Sequence, residues 1–249
     1  MTARPTPPHL VLGAADAPRR AVLLHYAGGS ATSMLPLARA LPDTCAVVLL
    51  ELHDRTNPAN TFAEAVARLR PGFEELLDRP TVVFGHSMGA LMAHALVETL
   101  PNDRRRRVTA LVLSGSRSPA TTRELATFPP AAFTTRSRAE LTHDMDRYGG
   151  CPPEVFTQPR LLDLAVTALG HDMQLIDTYP GQAGHGGRHT DAAYHVWYGA
   201  DDDEASAHEA RLWAQDLPRS PNLRAFPGGH FYLLEHAEAG HALRRLVDA

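Results

Sequence analysis

Short apolar runs alternate with longer segments of helix-forming residues along most of the chain, and this pattern predicts its secondary structure. The apolar runs, rich in β-branched residues, predict strands at His9–Leu12, Ala21–His25, Ala46–Leu50, Thr81–Phe84, Thr109–Ser114, His195–Tyr198 and Leu223–Phe226. The other segments predict helices at Met34–Leu41, Thr61–Leu77, Ala90–Glu98, Ala207–Asp216 and about His236–Val247. Such alternation predicts an α/β fold, in which helices cover both faces of a mostly parallel sheet.

Two of the predicted helices begin with residues that favour capping. Ser33 is the expected N-cap of the first helix, which Pro42 ends. Thr61 and Glu64 have the spacing of a capping box at the start of the second helix.

The alternation stops after Ser114, and the next 80 residues contain no clear strand pattern. Helical patterns cover Arg138–Tyr148, Pro153 onward and Pro159–Ile176. A segment of this length needs structure of its own in a compact domain. We therefore expect one domain over residues 1–249, with a helical lid inserted at about residues 116–193. The apolar residues expected on its inner face, some of them lining a pocket, are Phe128, Phe133, Leu141, Met145, Phe156, Leu162, Leu169, Met173 and Ile176.

The sequence Gly-His-Ser-Met-Gly at 85–89 lies between a predicted buried strand and a predicted helix. This is the context of a nucleophile elbow, in which the glycines allow a tight strand-to-helix turn and the serine hydroxyl stands clear of the sheet. The helix N-terminus below Ser87 favours negative charge there. Ser87 is therefore the candidate nucleophile.

A serine hydroxyl needs a base to remove its proton, and the base needs an acid to orient it. In hydrolases with this elbow the chain order is serine, acid, histidine. His230 follows the last predicted strand within Pro-Gly-Gly-His and is the candidate base. Asp202 stands three residues after Gly199, at the end of the preceding predicted strand, and is the preferred acid. Asp201 is its main rival.

Neighbouring polar residues are assigned lesser roles. We expect Asp203 and Glu204 to be solvated, and His86 and His25 to be scaffold or pocket-wall residues. The oxyanion hole is expected to use the backbone N–H of Met88, the residue after the nucleophile.

The second oxyanion donor should come from the loop after an early strand. Its backbone N–H is expected at Ala27, because Gly28 and Gly29 let the main chain approach closely there.

Composition excludes several other classes of protein. The net charge of −4 argues against a nucleic-acid binder. No apolar run approaches the roughly 20 residues of a membrane helix. The first residues do not resemble a signal peptide, and Cys45 and Cys151 make no disulfide framework. We therefore expect a cytoplasmic protein without membrane contact.

The chain contains no lysine, which excludes a lysine-nucleophile mechanism. The glycine- and histidine-rich segment 181–189 lacks the spacing of a metal site, so a solvated loop is expected. No cofactor or metal is predicted.

Four motifs in order resemble the type II thioesterases of nonribosomal peptide and polyketide synthases. They are His-Tyr-Ala-Gly-Gly at 25–29, Gly-His-Ser-Met-Gly-Ala at 85–90, Gly-Ala-Asp-Asp at 199–202 and Pro-Gly-Gly-His-Phe at 227–231. The resemblance covers about residues 20–248. It implies an α/β-hydrolase that hydrolyses acyl thioesters on the phosphopantetheine arm of an acyl- or peptidyl-carrier protein, through an acyl-serine intermediate. It also implies that the lid forms the acyl pocket.

The chain departs from this family around the mouth of the expected site. The family usually has Phe-Pro before Ala-Gly-Gly, where this chain has Leu24, His25 and Tyr26. Its usual Pro-Gly-Arg after the next strand appears here as His-Asp-Arg at 53–55. These changes affect the choice of substrate and leave the three candidate catalytic residues intact.

Other functions remain open on the sequence alone. They are a trans-acting enzyme that releases or cyclises a finished product, a general esterase for small oxygen esters, and a binding protein without turnover. The four arginines at 104–107 could attract an acidic carrier protein. Because they precede a strand, they should lie on the rim opposite Ser87, and we expect a solvated turn.

Overall fold

The computed structural model describes residues 9–54, 56–125, 136–181 and 191–249. Seven strands form one sheet: β1 (His9–Leu12), β2 (Arg19–Leu24), β3 (Cys45–Leu50), β4 (Thr81–His86), β5 (Val108–Ser114), β6 (Ala193–Gly199) and β7 (Asn222–Phe226). The strand order is β1-β3-β2-β4-β5-β6-β7. Only β1 runs antiparallel to its neighbour, and the other five pairings are parallel. The predicted mostly parallel sheet is confirmed.

The α-helices of the described residues are α1 (Leu35–Ala38), α2 (Phe62–Glu75), α3 (Met88–Thr99), α4 (Asn102–Arg105), α5 (Pro119–Leu125), α6 (Arg138–Tyr148), α7 (Pro153–Thr157), α8 (Pro159–Asp177), α9 (Ala207–Asp216), α10 (Tyr232–Glu235) and α11 (Ala237–Asp248). Helices α2, α3 and α9 pack on one face of the sheet, and α1, α10 and α11 pack on the other. The predicted α/β class, with helices on both faces, is therefore also confirmed.

The central strands lack a polar–apolar alternation because both of their faces are buried. In β3, Val48 and Leu50 contact the core under α2 and α3, whereas Val47 and Leu49 contact the core under α1 and α11. All six residues of β3 are buried. Every second residue thus belongs to a different core, as the two-residue period of a strand requires.

Both of the predicted helix caps differ in part from the prediction. The chain begins a 3-10 turn at Ala31–Met34 before α1, so Ser33 is inside that turn and Ser30 is its N-cap. The first helix starts at Leu35 instead of Met34 and ends at Ala38 instead of Leu41, so it is shorter than predicted. Thr61 does cap α2, by accepting from the N–H of Glu64, but the Glu64 carboxylate accepts from Asn60. The carboxylate of Glu64 therefore bonds one residue before the N-cap, and the reciprocal bond of the predicted capping box is not formed.

The arginine run at 104–107 is not a solvated turn throughout. Arg105 is 1% exposed, and its guanidinium donates to the carbonyl oxygens of Val97, Glu98 and Leu100. These carbonyls lie in the last turn and C-cap of α3, where a helix leaves main-chain acceptors without intrahelical partners. Arg105 is therefore a buried cap, and the prediction was wrong for this residue. Arg106 and Arg107 are exposed.

Helices α5 to α8 follow β5 and precede β6, where the helical insertion was predicted. Their apolar residues form a third cluster built on Leu141, Met145, Val166 and Leu169, and this cluster also contacts Ala27. Phe128, Phe133 and nearly all of the segment 181–189 lie outside the described residues. Within the described ranges, no helix has the length and apolar character needed to cross a membrane.

Candidate active site

The turn between β4 and α3 has the strained geometry expected of a nucleophile elbow. Ser87 adopts φ 55° and ψ −121°, and it is the only non-glycine residue with positive φ among those the structure describes. A Cβ at Gly85 would overlap the main chain of Gly89, and a Cβ at Gly89 would overlap the carbonyls of Leu24 and His25. Both flanking glycines are thus required by close main-chain approach.

The sheet fixes the direction of the elbow. The N–H of Ser87 donates to the carbonyl of Ser114 at 2.8 Å, so the turn is tied to the carboxyl end of β5. Because β4, β6 and β7 run parallel, the residues that follow them share one rim of the sheet. Ser87, Asp202 and His230 all follow strands on this rim.

The acidic loop after β6 presents Asp202 to His230. Asp202 Oδ2 lies 2.8 Å from His230 Nδ1, and Asp202 Oδ1 accepts from the N–H groups of Glu204 at 2.9 Å and Ala205 at 3.0 Å. Asp202 is 5% exposed, whereas its rival Asp201 is exposed to solvent. The structure therefore brings Asp202, and not Asp201, against the candidate base.

The surroundings of Asp202 favour its ionised form. Burial alone raises the pKa of this carboxyl, but the hydrogen bond and charge of His230 and the two backbone N–H donors outweigh burial and hold the pKa below its ordinary value. An ionised Asp202 accepts a hydrogen bond from His230, so the proton of the neutral ring is on Nδ1. That arrangement leaves Nε2 of the neutral ring free to accept a proton.

The expectation that Asp203 and Glu204 are solvated is wrong for Glu204. Glu204 is half-buried, accepts from the hydroxyl of Tyr148, and lies 3.0 Å from Arg117 Nη1. Asp203 is exposed but forms an ion pair with Arg147 at 2.5 Å. Both acids therefore bond to side chains outside their own loop, and two of those side chains belong to α6.

His86 is a fully buried support below the ring of His230. The two ring centroids are 5.0 Å apart, and His86 Nδ1 lies 2.9 Å from the hydroxyl of Ser114. That hydroxyl is in turn 2.6 Å from the hydroxyl of Tyr232. Burial, followed by the charge of His230, holds the pKa of His86 well below its ordinary value. His86 is accordingly a neutral scaffold residue.

The loop after β2 carries Ala27 to the same rim. The N–H of Gly29 donates to the carbonyl of Tyr26 at 3.0 Å, and Gly28 has φ +76°. A glycine with positive φ at the third position is typical of a type II turn. Ala27 and Met88, the two candidate oxyanion donors, both line the cavity described next.

A cavity of about 710 Å³ lies between this rim and the inserted helices. Its floor includes Ser87, Met88, Ala27 and His230. The residues contributed by the insertion are mainly apolar and include Met145, Val155, Leu161, Leu164, Leu169, Met173 and Ile176. This volume lies within the range of pockets that bind small organic ligands, roughly 300–1,000 Å³.

The predicted inner face of the insertion is divided between cavity and core. Met145, Leu169, Met173 and Ile176 line the cavity. Leu141, Phe156 and Leu162 instead pack among the inserted helices.

Sequence reasoning missed Asp172, which lies on the buried face of α8 between Leu169 and Leu175. Its carboxylate accepts from the N–H of Gly28 at 2.7 Å. An acid within an apolar helical stripe is the signal that could have identified it.

Other reactive chemistry is not supported within the described ranges. No group of three or more potential ligands that could hold a metal ion is found there. Cys45 and Cys151 are free thiols. Burial raises the pKa of Cys45 to about 11 and also raises the pKa of Cys151. Neither thiol is thus activated as a nucleophile.

The chain is similar to several known proteins over most of its length. A family model described as a thioesterase domain matches residues 19–248. The chain is 30% identical over 231 residues to the probable cadicidin biosynthesis thioesterase of Streptomyces griseus, covering 88% of this chain and 60% of that protein. It is 28% identical over 240 residues to phenyloxazoline synthase MbtB of Mycobacterium tuberculosis, covering 94% of this chain and 16% of that protein. The chain thus spans less than two thirds of either relative.

Two solved structures share the fold over nearly the whole chain. The type II thioesterase BorB from the borrelidin biosynthetic cluster superposes with a TM-score of 0.79 and 29% identity, covering 94% of this chain and 95% of BorB. The RedJ thioesterase from the prodiginine pathway of Streptomyces coelicolor gives a TM-score of 0.75 and 26% identity, covering 93% and 89%.

Proposed function

Because the chain belongs to the thioesterase domain family, we propose that it hydrolyses acyl thioesters with Ser87 as nucleophile, His230 as base and Asp202 as orienting acid. The observation that carries this proposal is the 2.8 Å contact between His230 Nδ1 and Asp202 Oδ2 on the rim that also presents Ser87. A strained, cavity-facing serine on that rim supports it further.

The first half of the reaction acylates the enzyme. The hydroxyl oxygen of Ser87 attacks the thioester carbonyl, and His230 Nε2 takes its proton. Asp202 holds the proton on Nδ1 and stabilises the imidazolium that forms. The N–H groups of Met88 and Ala27 bind the negative oxygen of the tetrahedral intermediate. The carbon–sulfur bond then breaks, and His230 returns the proton to the departing sulfur.

The second half releases the acyl group. Water attacks the acyl-Ser87 ester, His230 takes a proton from that water, and the same two N–H groups bind the second tetrahedral intermediate. The bond between the acyl carbon and the serine oxygen then breaks, His230 returns its proton to that oxygen, and the products are a free carboxylic acid and the serine hydroxyl. The cycle consumes one water for each thioester and needs no metal or cofactor.

We propose that the substrate is held on the phosphopantetheine arm of an acyl- or peptidyl-carrier protein in an antibiotic-type biosynthetic pathway. The relatives named for cadicidin and borrelidin biosynthesis support this class of partner. The apolar cavity supports an acyl chain as the bound group. The free thiols Cys45 and Cys151 fit a reducing compartment such as the cytoplasm.

The insertion is proposed to act as a lid that opens for the arm and closes over the acyl chain. We expect hydrogen exchange to be faster in residues 138–177 than in β4 and β5, because the insertion has the smaller core. Equal protection in both regions would contradict a mobile lid.

The test is turnover of an acyl-carrier protein beside a simple oxygen ester of the same acyl group, with product identified by mass spectrometry. We expect free acid from the carrier, with kcat/KM about tenfold or more above that of the oxygen ester. Ser87→Ala should lower turnover by about 10⁴ or more while the circular dichroism spectrum is unchanged. Preference for the oxygen ester would identify a general esterase, and a cyclic product would identify a releasing enzyme.

A further inference from the structure

The direction of the Ala27 N–H is set by the peptide group that it shares with Tyr26. A trans peptide is planar, so its carbonyl oxygen and its N–H point in opposite directions. Any group that fixes the carbonyl of Tyr26 therefore also fixes the N–H of Ala27. Besides Gly29 within the turn, the structure provides a second donor for this carbonyl.

That second donor is His25. Its Nδ1 lies 2.9 Å from the carbonyl oxygen of Tyr26, and since a carbonyl only accepts, the ring must carry a proton on Nδ1. The opposite ring nitrogen, Nε2, lies 3.2 Å from the backbone nitrogen of Leu52 and 3.0 Å from Glu51 Oε1, so it has an N–H donor when it is unprotonated and a carboxylate acceptor when it is protonated. His25 is fully buried. The buried ring therefore has a polar partner at each nitrogen, and the partner at Nδ1 is the carbonyl of the peptide before Ala27.

The peptide after Ala27 is held by Asp172. Asp172 Oδ2 accepts from the N–H of Gly28 at 2.7 Å, which is typical of a charge-assisted bond. The central peptide of a β-turn has opposite orientations in type I and type II turns, and positive φ at Gly28 corresponds to type II. Asp172 therefore favours the peptide orientation that the turn adopts.

Asp172 also lies beside a histidine from the body of the protein. Its side chain is 1% exposed, and Asp172 Oδ1 lies 2.8 Å from His53 Nε2. The ring centroids of His53 and His25 are 5.5 Å apart. The histidine beside Asp172 therefore lies next to the histidine that bonds the Tyr26 carbonyl.

We propose that Asp172 and His25 are positioning residues of the oxyanion hole, which fix the two peptides on either side of Ala27 so that its N–H is directed at the reacting oxygen. This rests on the proposed function, in which Ala27 supplies that N–H. Neither residue touches the substrate in this assignment. Asp172 also lies on α8, so it joins the cavity wall to the oxyanion turn.

The test compares three variants with wild type on a small acyl thioester at a temperature well below their melting points. Asp172→Ala removes the acceptor for Gly28, and Asp172→Asn keeps one. Thr178→Val is the matched control, because Thr178 Oγ1 also ties α8 to the body, by accepting from the N–H of Phe62 at 2.9 Å. Its hydrogen bond does not involve the oxyanion turn.

Loss of an oxyanion donor costs about 10²–10³ in kcat, and a misdirected donor should cost part of that. We expect Asp172→Ala to lower kcat by about 10–100-fold with KM changed by less than about threefold. Asp172→Asn should restore most of the activity, since its Oδ1 still accepts from Gly28. Thr178→Val should lower Tm but leave kcat within about twofold of wild type.

A boronic acid that forms a tetrahedral adduct on Ser87 gives a second readout. Asp172→Ala should weaken its binding by about the same factor as kcat/KM, while the binding of an unreactive acyl amide is unchanged. A normal kcat in Asp172→Ala, or an equal kcat loss in Thr178→Val, would overturn the proposal. Failure of wild type to hydrolyse any thioester would instead reject the proposed function.

Discussion

We expect Asp202→Asn to abolish thioester hydrolysis, because it replaces the acceptor that faces His230 with a donor. In the wild type, Asp202 Oδ1 accepts from two backbone N–H groups, those of Glu204 and Ala205, while Asp202 Oδ2 faces His230 Nδ1. An asparagine must place its oxygen toward the two N–H donors, because its NH₂ group cannot accept from them. The NH₂ group then faces His230.

This reversal changes the tautomer of the base. A donating NH₂ requires a lone pair on His230 Nδ1, so the proton of the neutral ring moves to Nε2. A protonated Nε2 cannot take the proton of Ser87. We therefore expect Asp202→Asn to lower kcat by about 10⁴, which corresponds to about 5.4 kcal/mol of transition-state stabilisation.

Asp201→Asn is the matched control, because the same chemical change is made at an exposed neighbour. The contact of Asp201 with the loop is through its backbone N–H, which donates to Gly228 and is unaffected by the side chain. Its kcat should stay within about threefold of wild type. Release of thiol from an acyl thioester measures kcat, and thermal unfolding reports whether both variants are folded.

Two results would refute this reasoning. One is a folded Asp202→Asn variant with kcat within tenfold of wild type. The other is a larger loss in Asp201→Asn than in Asp202→Asn. The nitrogen chemical shifts of His230 provide a direct check, since they distinguish a ring protonated on Nδ1 from one protonated on Nε2.

Two further predictions concern residues away from the cavity. Replacing the exposed Arg106 and Arg107 with serine should change kcat/KM for a carrier substrate by less than about threefold at moderate salt. A salt-dependent loss of kcat/KM with the carrier substrate alone would instead indicate that the carrier docks on these two arginines. Arg105→Ser should cost about 2–4 kcal/mol of stability, or roughly 5–15 °C in Tm. The hydrogen bond from Arg79 lowers the pKa of Asp78 to about 2 despite partial burial, so Asp78 stabilises the fold above about pH 4 and this contribution is lost as the pH falls toward 2. The Tm of Asp78→Asn should therefore lie below that of wild type at pH 6, and a gap that did not narrow at pH 2 would contradict this.

The parts of the site that the sequence predicted depend on main-chain geometry. Gly199 indicated the acid because a side chain there would overlap the carbonyl oxygens of Gly228 and Gly229, next to His230. The glycines around Ser87 are required by the same kind of close approach. Such steric needs leave a local signal in the sequence, so strand ends and turns could be read from it.

The parts that it did not predict depend on polar contacts between distant segments. Arg105 belongs to a run of four arginines, and only its position below the last turn of α3 distinguishes it from its exposed neighbours. Glu204 bonds to a tyrosine 56 residues away, and Asp172 bonds to a glycine 144 residues away. No periodicity or motif encodes these partners, because they become neighbours only after the sheet and the insertion have packed.

These long-range contacts connect the insertion to the loops that carry the proposed catalytic acid and the proposed oxyanion donor. Tyr148 of α6 bonds to Glu204, whose own N–H bonds to Asp202 behind the base. Asp172 of α8 bonds to Gly28 beside the proposed oxyanion donor. Moving α6 away from the body must break the first contact, and moving α8 must break the second. If the insertion acts as the proposed lid, its opening would therefore remove one contact of the Asp202 loop and one contact of the turn that contains Ala27.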